Sequence, residues 1–99
     1  MTQRRITNYE AVRVVATRVS QLEQGASYYV NTMPGDTAEC IAIIEFLAGE
    51  IPMIIQRTLP DGTVDSLKMS CMSMSEGIQN EYISRLQQLR ADNKRYLQS

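Results

Sequence analysis

Apolar positions recur with helical spacing in three stretches of the chain and with strand-like spacing in one. Val12, Val15, Ala16, Val19 and Leu22 follow one another at intervals of three, one, three and three, with Ala11 and Val14 beside them. Such a stripe occupies one face of a helix, so the pattern predicts a first helix over 8–24. Its start is marked by Thr7-Asn8-Tyr9-Glu10, a capping box in which hydroxyl and carboxylate each satisfy an orphan backbone donor. Gly25 is suited to stop it. Arg13, three residues after Glu10, is close enough to pair with it.

A second helix is predicted over 38–48, with Ile41, Ile44, Leu47 and Ala48 as its buried stripe, Cys40 and Ile43 beside it, and Glu45 facing away. Asp36 or Thr37 supplies its cap, and Gly49 its end. Between the two helices, 27–30 reads as a short extended piece and Met33-Pro34-Gly35 as a turn. Ile51-Pro52 favours extended backbone. From there, 53–59 is an apolar run of strand length, and 63–69 is its returning partner. Between them Pro60-Asp61-Gly62 presets φ, bonds the backbone and supplies positive φ in turn. The third helix is predicted over 75–97, opened by the box Ser73-Met74-Ser75-Glu76. Its stripe is Ile78, Tyr82, Leu86 and Leu89, continued by Tyr96 and Leu97. It either folds back on the hairpin or docks on a neighbouring protein. Together these elements predict a small α+β domain. Two helices pack with a short β-hairpin, and an amphipathic helix follows at the C-terminal end.

Composition narrows the function. A chain of 99 residues holds a single domain with a modest core. It has no histidine, which removes the commonest general base and the commonest zinc ligand. No glycine-rich phosphate loop is present, and Glu45, Glu50, Asp61 and Asp65 form no convincing catalytic pair. These features argue against an enzyme, a metal site, a cofactor or a small-molecule substrate. Cys40 and Cys71 read as small hydrophobes. Met69 and Met72, with Met74, read as gap-filling between the hairpin and the last helix. No signal peptide or bilayer-spanning run is evident. The net charge of −1 conceals an acidic middle between basic ends: residues 1–18 carry four arginines against one glutamate, and 19–65 carry one arginine against seven acids. That distribution suits contact with another protein better than a basic nucleic-acid footprint.

The ordered set Thr7-Asn8-Tyr9-Glu10, Arg13, Thr17-Arg18, Gln21-Leu22 and Ala26 resembles the first-helix signature of the sixth common subunit of multi-subunit RNA polymerases. That family includes archaeal subunit K and bacterial omega. Ile41-Ala42, Ile51-Pro52, Ile55, Arg57 and Leu59-Pro60-Asp61-Gly62 continue the resemblance over residues 6–69. It implies a non-catalytic subunit that clamps the largest polymerase subunit and helps it fold, assemble and stay assembled. DNA is then met only indirectly, through the complex. The implied partner-binding residues are Tyr9, Glu10, Arg13, Thr17, Arg18 and Gln21 of the first helix, with Ile51, Pro52 and Arg57. Arg13 and Arg18 would dock as forks of donors.

The chain also departs from the family pattern. It lacks the acidic N-terminal tail of eukaryotic members, and Thr37-Ala38 stands where an Asp-Pro is frequent. An aromatic frequent near Leu67 is missing, and residues 70–99 form an added helical extension. These departures imply a divergent member, of viral or plasmid-like origin. The expected location is nucleus or cytoplasm, or the virion for a viral protein. The rival reading is a free-standing helical adaptor or dimer built on the last helix.

Overall fold

The computed structural model describes the backbone of residues 5–97 and the side chains of residues 5–92. The element order is α1 (Asn8–Glu23), α2 (Ala38–Ala48), β1 (Ile54–Thr58), β2 (Val64–Lys68), a 3-10 turn (Met69–Cys71) and α3 (Glu76–Leu97). β1 and β2 form a two-stranded antiparallel sheet in the register Ile54↔Lys68 to Thr58↔Val64. This is the α+β arrangement the apolar pattern predicts. The stretch 27–30, read as extended, carries no strand.

Local chemistry explains the boundaries. The Thr7 hydroxyl accepts the Glu10 N–H at 3.1 Å, and the Glu10 carboxylate accepts the Thr7 N–H at 3.0 Å. Ile6 before the cap and Ala11 one turn in are both buried in the core, as in a hydrophobic staple. α1 ends in a Schellman arrangement. The Ala26 N–H donates to the Gln21 carbonyl and the Gly25 N–H to that of Leu22, with Gly25 at φ 99°. Thr37, rather than Asp36, caps α2. Asp36 is instead held by Arg90 of α3, whose Nε and Nη2 donate at 3.2 and 3.1 Å. α3 is capped by Ser75, whose hydroxyl accepts the Ile78 N–H at 3.2 Å, and not by Ser73. Ser73 is engaged elsewhere: its carbonyl accepts the Ile6 N–H at 2.8 Å, in a bridge that ties the start of the chain to the approach to α3.

One apolar cluster joins all the elements, with Phe46, Ile43, Ile6, Ile51 and Met69 among its most buried members. α2 lies between α1 and α3 and is buried nearly all round: Cys40, Ile41, Ala42, Ile43, Glu45 and Phe46 are inside. Ile44 and Leu47 are only half-buried and Ala48 is exposed, which corrects the predicted stripe. α3 packs chiefly on α2. Its Ile78 and Tyr82 are buried, and the Tyr82 ring meets Phe46 of α2 edge-on at 4.9 Å between centroids. Met69 and Met72 are buried and Met74 half-buried in the same cluster. Cys40 is buried and Cys71 exposed. Tyr96 and Leu97, read as extending the α3 stripe, have side chains outside the described set.

The inward face of α1 differs from the predicted one. Ala11, Val14, Val15 and Arg18 are buried, whereas Val12 is 58% exposed and Ala16 is exposed. The helix is rotated because a charged residue belongs to its inner row. Arg18 is 4% exposed and Glu45 of α2 is 3% exposed. Arg18 Nε donates to Glu45 Oε1 at 2.8 Å and Nη2 to Oε2 at 2.9 Å, a bidentate pair. Nη2 also donates to the Ser27 carbonyl at 2.8 Å, and Nη1 to Gln21 Oε1 at 3.2 Å. Glu45 therefore does not face solvent, and Arg18 does not present its donors outward. Together they fasten α1, α2 and the segment after α1.

Removing one member of a buried pair strands the other charge, at a cost of roughly 3–5 kcal/mol. Arg18→Ala should therefore lower unfolding stability by about that amount, whereas Arg18→Met combined with Glu45→Leu should recover most of it. Urea denaturation of the three proteins checks this. Equal losses in the single and double variants would refute the pair's role.

Candidate partner-binding groove

The outward side of α1 carries a row at intervals of four: Tyr9, Arg13, Thr17 and Gln21. Residues so spaced stack on one helix face. This row forms one wall of a groove of about 560 Å³. Glu10 and Val14 belong to the same wall, and Met53, Ile54, Ile55 and Gln56 form the other. Val14 and Ile55 are buried and make an apolar floor, while Tyr9 (69% exposed) and Ile54 (61% exposed) stand on the rims.

Arg13 does not pair with Glu10. Its guanidinium lies 5.6 Å from the centre of the Tyr9 ring, within cation–π range, and Nη1 donates to the Tyr9 hydroxyl at 3.3 Å. Glu10 is taken by Arg57 of β1. Arg57 Nε donates to Glu10 Oε2 at 2.8 Å, and Nη2 to Oε1 at 2.7 Å and to the Arg5 carbonyl at 2.9 Å. The Arg57 hydrogen bonds, with help from Thr7, hold the Glu10 carboxyl down from 4.5 to about 2, although partial burial opposes this. The same contact raises the Arg57 pKa. This ion pair joins helix to strand beside the groove and sets its width.

The structure thus brings Tyr9, Glu10, Arg13, Thr17 and Gln21 to one groove, with Arg57 at the bracing ion pair. Pro52 is exposed in a neighbouring groove of about 230 Å³, which Ile51, Lys68 and Met69 also line. Ile51 itself belongs to the core, and Arg18 is turned inward. Sequence reasoning missed the strand wall. The apolar run 53–59 marked a strand but gave no sign that Ile54 faces out while Ile55 faces in. On the other side of α1, Val12, Ala16 and Val19 line a shallower groove with Tyr82 and Arg85, about 320 Å³ in volume. Among the described residues no acidic or cysteine cluster could hold a metal ion, and no helix is long and apolar enough to cross a membrane.

The polar groups of the main groove include the Arg13 guanidinium, the Thr17 hydroxyl and the Gln21 and Gln56 amides. These groups can offer hydrogen bonds to a partner. An open groove with an apolar floor, amphipathic rims and fixed donors suits a protein segment.

Comparison with known proteins points to transcription. The chain is 36% identical over 69 residues to DNA-directed RNA polymerase subunit Rpo6 of Saccharolobus solfataricus, covering 68% of this chain and 73% of that one. It is 33% identical over 63 residues to the Rpo6 subunit of Sulfurisphaera tokodaii, covering 62% and 73%. It is 36% identical over 61 residues to subunit RPABC2 of DNA-directed RNA polymerases I, II and III of Saccharomyces cerevisiae, covering 61% of this chain and 39% of that one. No family model matches the chain.

The Glu10–Arg57 brace makes a pH prediction. Because its native pKa is depressed, the Glu10 carboxylate contributes stability that is fully present above about pH 4.5 and is lost as pH falls toward 2. Arg57→Met should raise the Glu10 pKa from about 2 back toward 4.5 and remove that portion of the acid dependence. Carboxyl NMR titration of both proteins measures the shift. An unchanged Glu10 titration in the variant would contradict the assignment.

Proposed function

We propose that this chain, which belongs to the Rpo6/RPABC2 family of DNA-directed RNA polymerase subunits, grips the largest subunit of its polymerase through the groove between α1 and β1. The observation that carries the reading is the α1 row. Tyr9, Arg13, Thr17 and Gln21, picked out by their place in the family-like first-helix signature, line one groove with polar side chains along its wall and an apolar floor. Arg18 and Ile51 shape that surface from within. Arg18 holds α1 at its angle on α2, and Ile51 anchors the lead-in to β1. Pro52 and Arg57 flank it.

On this reading the chain is non-catalytic and acts by binding. A protein that binds the folded, assembled form of a partner shifts the partner's equilibrium toward that form by mass action. A thousandfold excess over Kd is worth about 4 kcal/mol to the bound state. Folding, assembly and retention of the largest subunit would all respond to that one term, and the work would be done wherever the polymerase operates, in nucleus or cytoplasm. Contact with DNA is indirect, through the complex.

Arg13→Glu combined with Thr17→Glu places two charges in the groove without touching the core. Co-purification with the largest subunit should fall about tenfold or more, the equivalent of losing about 1.4 kcal/mol or more of binding. The melting temperature of the isolated chain should move by no more than about 3 °C, as expected for surface changes. Undiminished co-purification of a folded double variant would overturn the proposed surface.

A further inference from the structure

We infer that the occupant of the groove is an extended segment of the largest polymerase subunit, added as a third strand on the open edge of β1. This rests on the reading above and specifies how the partner is held. Met53, Ile54, Ile55 and Gln56 are consecutive, yet all four line the groove. Side chains in a strand alternate between faces, so a groove that meets every residue in turn follows the backbone edge rather than one face.

The register shows which backbone groups are available there. Met69 N–H donates to the Met53 carbonyl and Leu59 N–H to the Thr63 carbonyl, which places Met53↔Met69 and Leu59↔Thr63 at hydrogen-bonded positions. Antiparallel pairs alternate. The odd-numbered residues of β1 therefore bond to β2, and Ile54 and Gln56 turn both N–H and C=O to the outer edge. Among the described residues no group pairs with those edge positions. An added strand can bond to such an edge through main-chain groups and use side chains for specificity.

Three features favour this edge and this occupant. α1 stands across the groove, so an added strand is covered on that side, by Val14 at the floor and by Thr17 and Gln21 along the wall. The far edge of the hairpin carries Lys68, a charge that discourages strand pairing. Arg13 is held on the groove wall by Tyr9, and among the described residues no carboxylate pairs with it. The segment that fits is thus extended, apolar where it meets Ile54, and acidic where it passes Arg13.

Residue-resolved hydrogen exchange of the chain, alone and within the assembled polymerase, tests this. Strand addition predicts that assembly slows the Ile54 and Gln56 amides about tenfold or more, while Ile55 and Arg57, already bonded to β2, are slow in both states. In parallel, Gln56→Pro removes an outward N–H without breaking a hairpin bond. It should reduce co-purification about tenfold relative to Gln56→Ala. A chain that assembles while its Ile54 and Gln56 amides exchange as they do when free would overturn strand addition and leave the subunit reading standing. A chain that fails to assemble would overturn both. Amides already slow in the free chain and released by deleting residues 1–4 would make the chain's own beginning the occupant, and so overturn the proposal as well.

Discussion

The Arg18–Glu45 pair sets the arrangement of everything around it. Both side chains lie inside, α1 donates the guanidinium, α2 accepts it, and the same guanidinium reaches the Ser27 carbonyl. An apolar contact at this point would let α1 rotate about its axis with little loss, because Val12, Ala16 and Val19 offer a second apolar stripe nearly as good as Ala11, Val14 and Val15. A bidentate ion pair permits no such rotation. It selects the rotation in which Tyr9, Arg13, Thr17 and Gln21 face β1, and leaves Val12 outside. The cost of desolvating two charges is offset by their mutual bonds, and what the fold gains is a defined orientation of one helix. In this chain that orientation and the groove are the same thing.

The parts of the fold that were legible in the sequence are those determined within a few residues. The Thr7 box, the Gly25 and Gly49 stops and the Pro60-Asp61-Gly62 turn each act within one turn of backbone, and the elements begin and end beside them. What was not legible is long-range. Arg18 finds Glu45 across 27 residues, Arg57 finds Glu10 across 47, and Arg90 finds Asp36 across 54. Local reasoning gave those acids local roles: Glu10 a pairing with Arg13, Asp36 a place beside Thr37 as one of two candidate caps, Glu45 a solvent face. These contacts share one cause of being missed: spacing within an element does not show a partner that another element brings alongside. Ser73 and Ser75 show a milder form. Both offer a hydroxyl three residues before a helical amide, and the choice between them follows from the bridge that holds Ser73 to Ile6.

α3 is part of the same construction rather than an appendage. Ile78 and Tyr82 complete the enclosure of Phe46, and Arg90 holds Asp36 in the segment between α1 and α2. Burial raises the Asp36 pKa, but the Arg90 contact and the Met33 N–H outweigh it, so its carboxyl stays below the usual range. α2 is thus covered on both sides by helices of this chain. Its apolar surface is taken up internally, and the outer edge of β1 lies beside the groove with backbone groups to share.

The residues of the family-like signature therefore divide by physics into two sets that resemblance alone does not separate. Thr7, Glu10, Arg18 and Arg57 bond within the chain and hold α1 in place. Tyr9, Arg13, Thr17 and Gln21 face the groove. A substitution in the first set would weaken assembly by tilting or loosening the helix, and a substitution in the second by removing contacts, so a binding assay by itself reads both as interface residues. Stability distinguishes them: loss of the buried pair lowers it by several kcal/mol, whereas change along the outward row leaves it nearly untouched. On the proposed reading, partner binding would depend on helix orientation first and on side-chain identity second. The most telling residue for orientation, Arg18, is one that a partner seated in the groove need not touch.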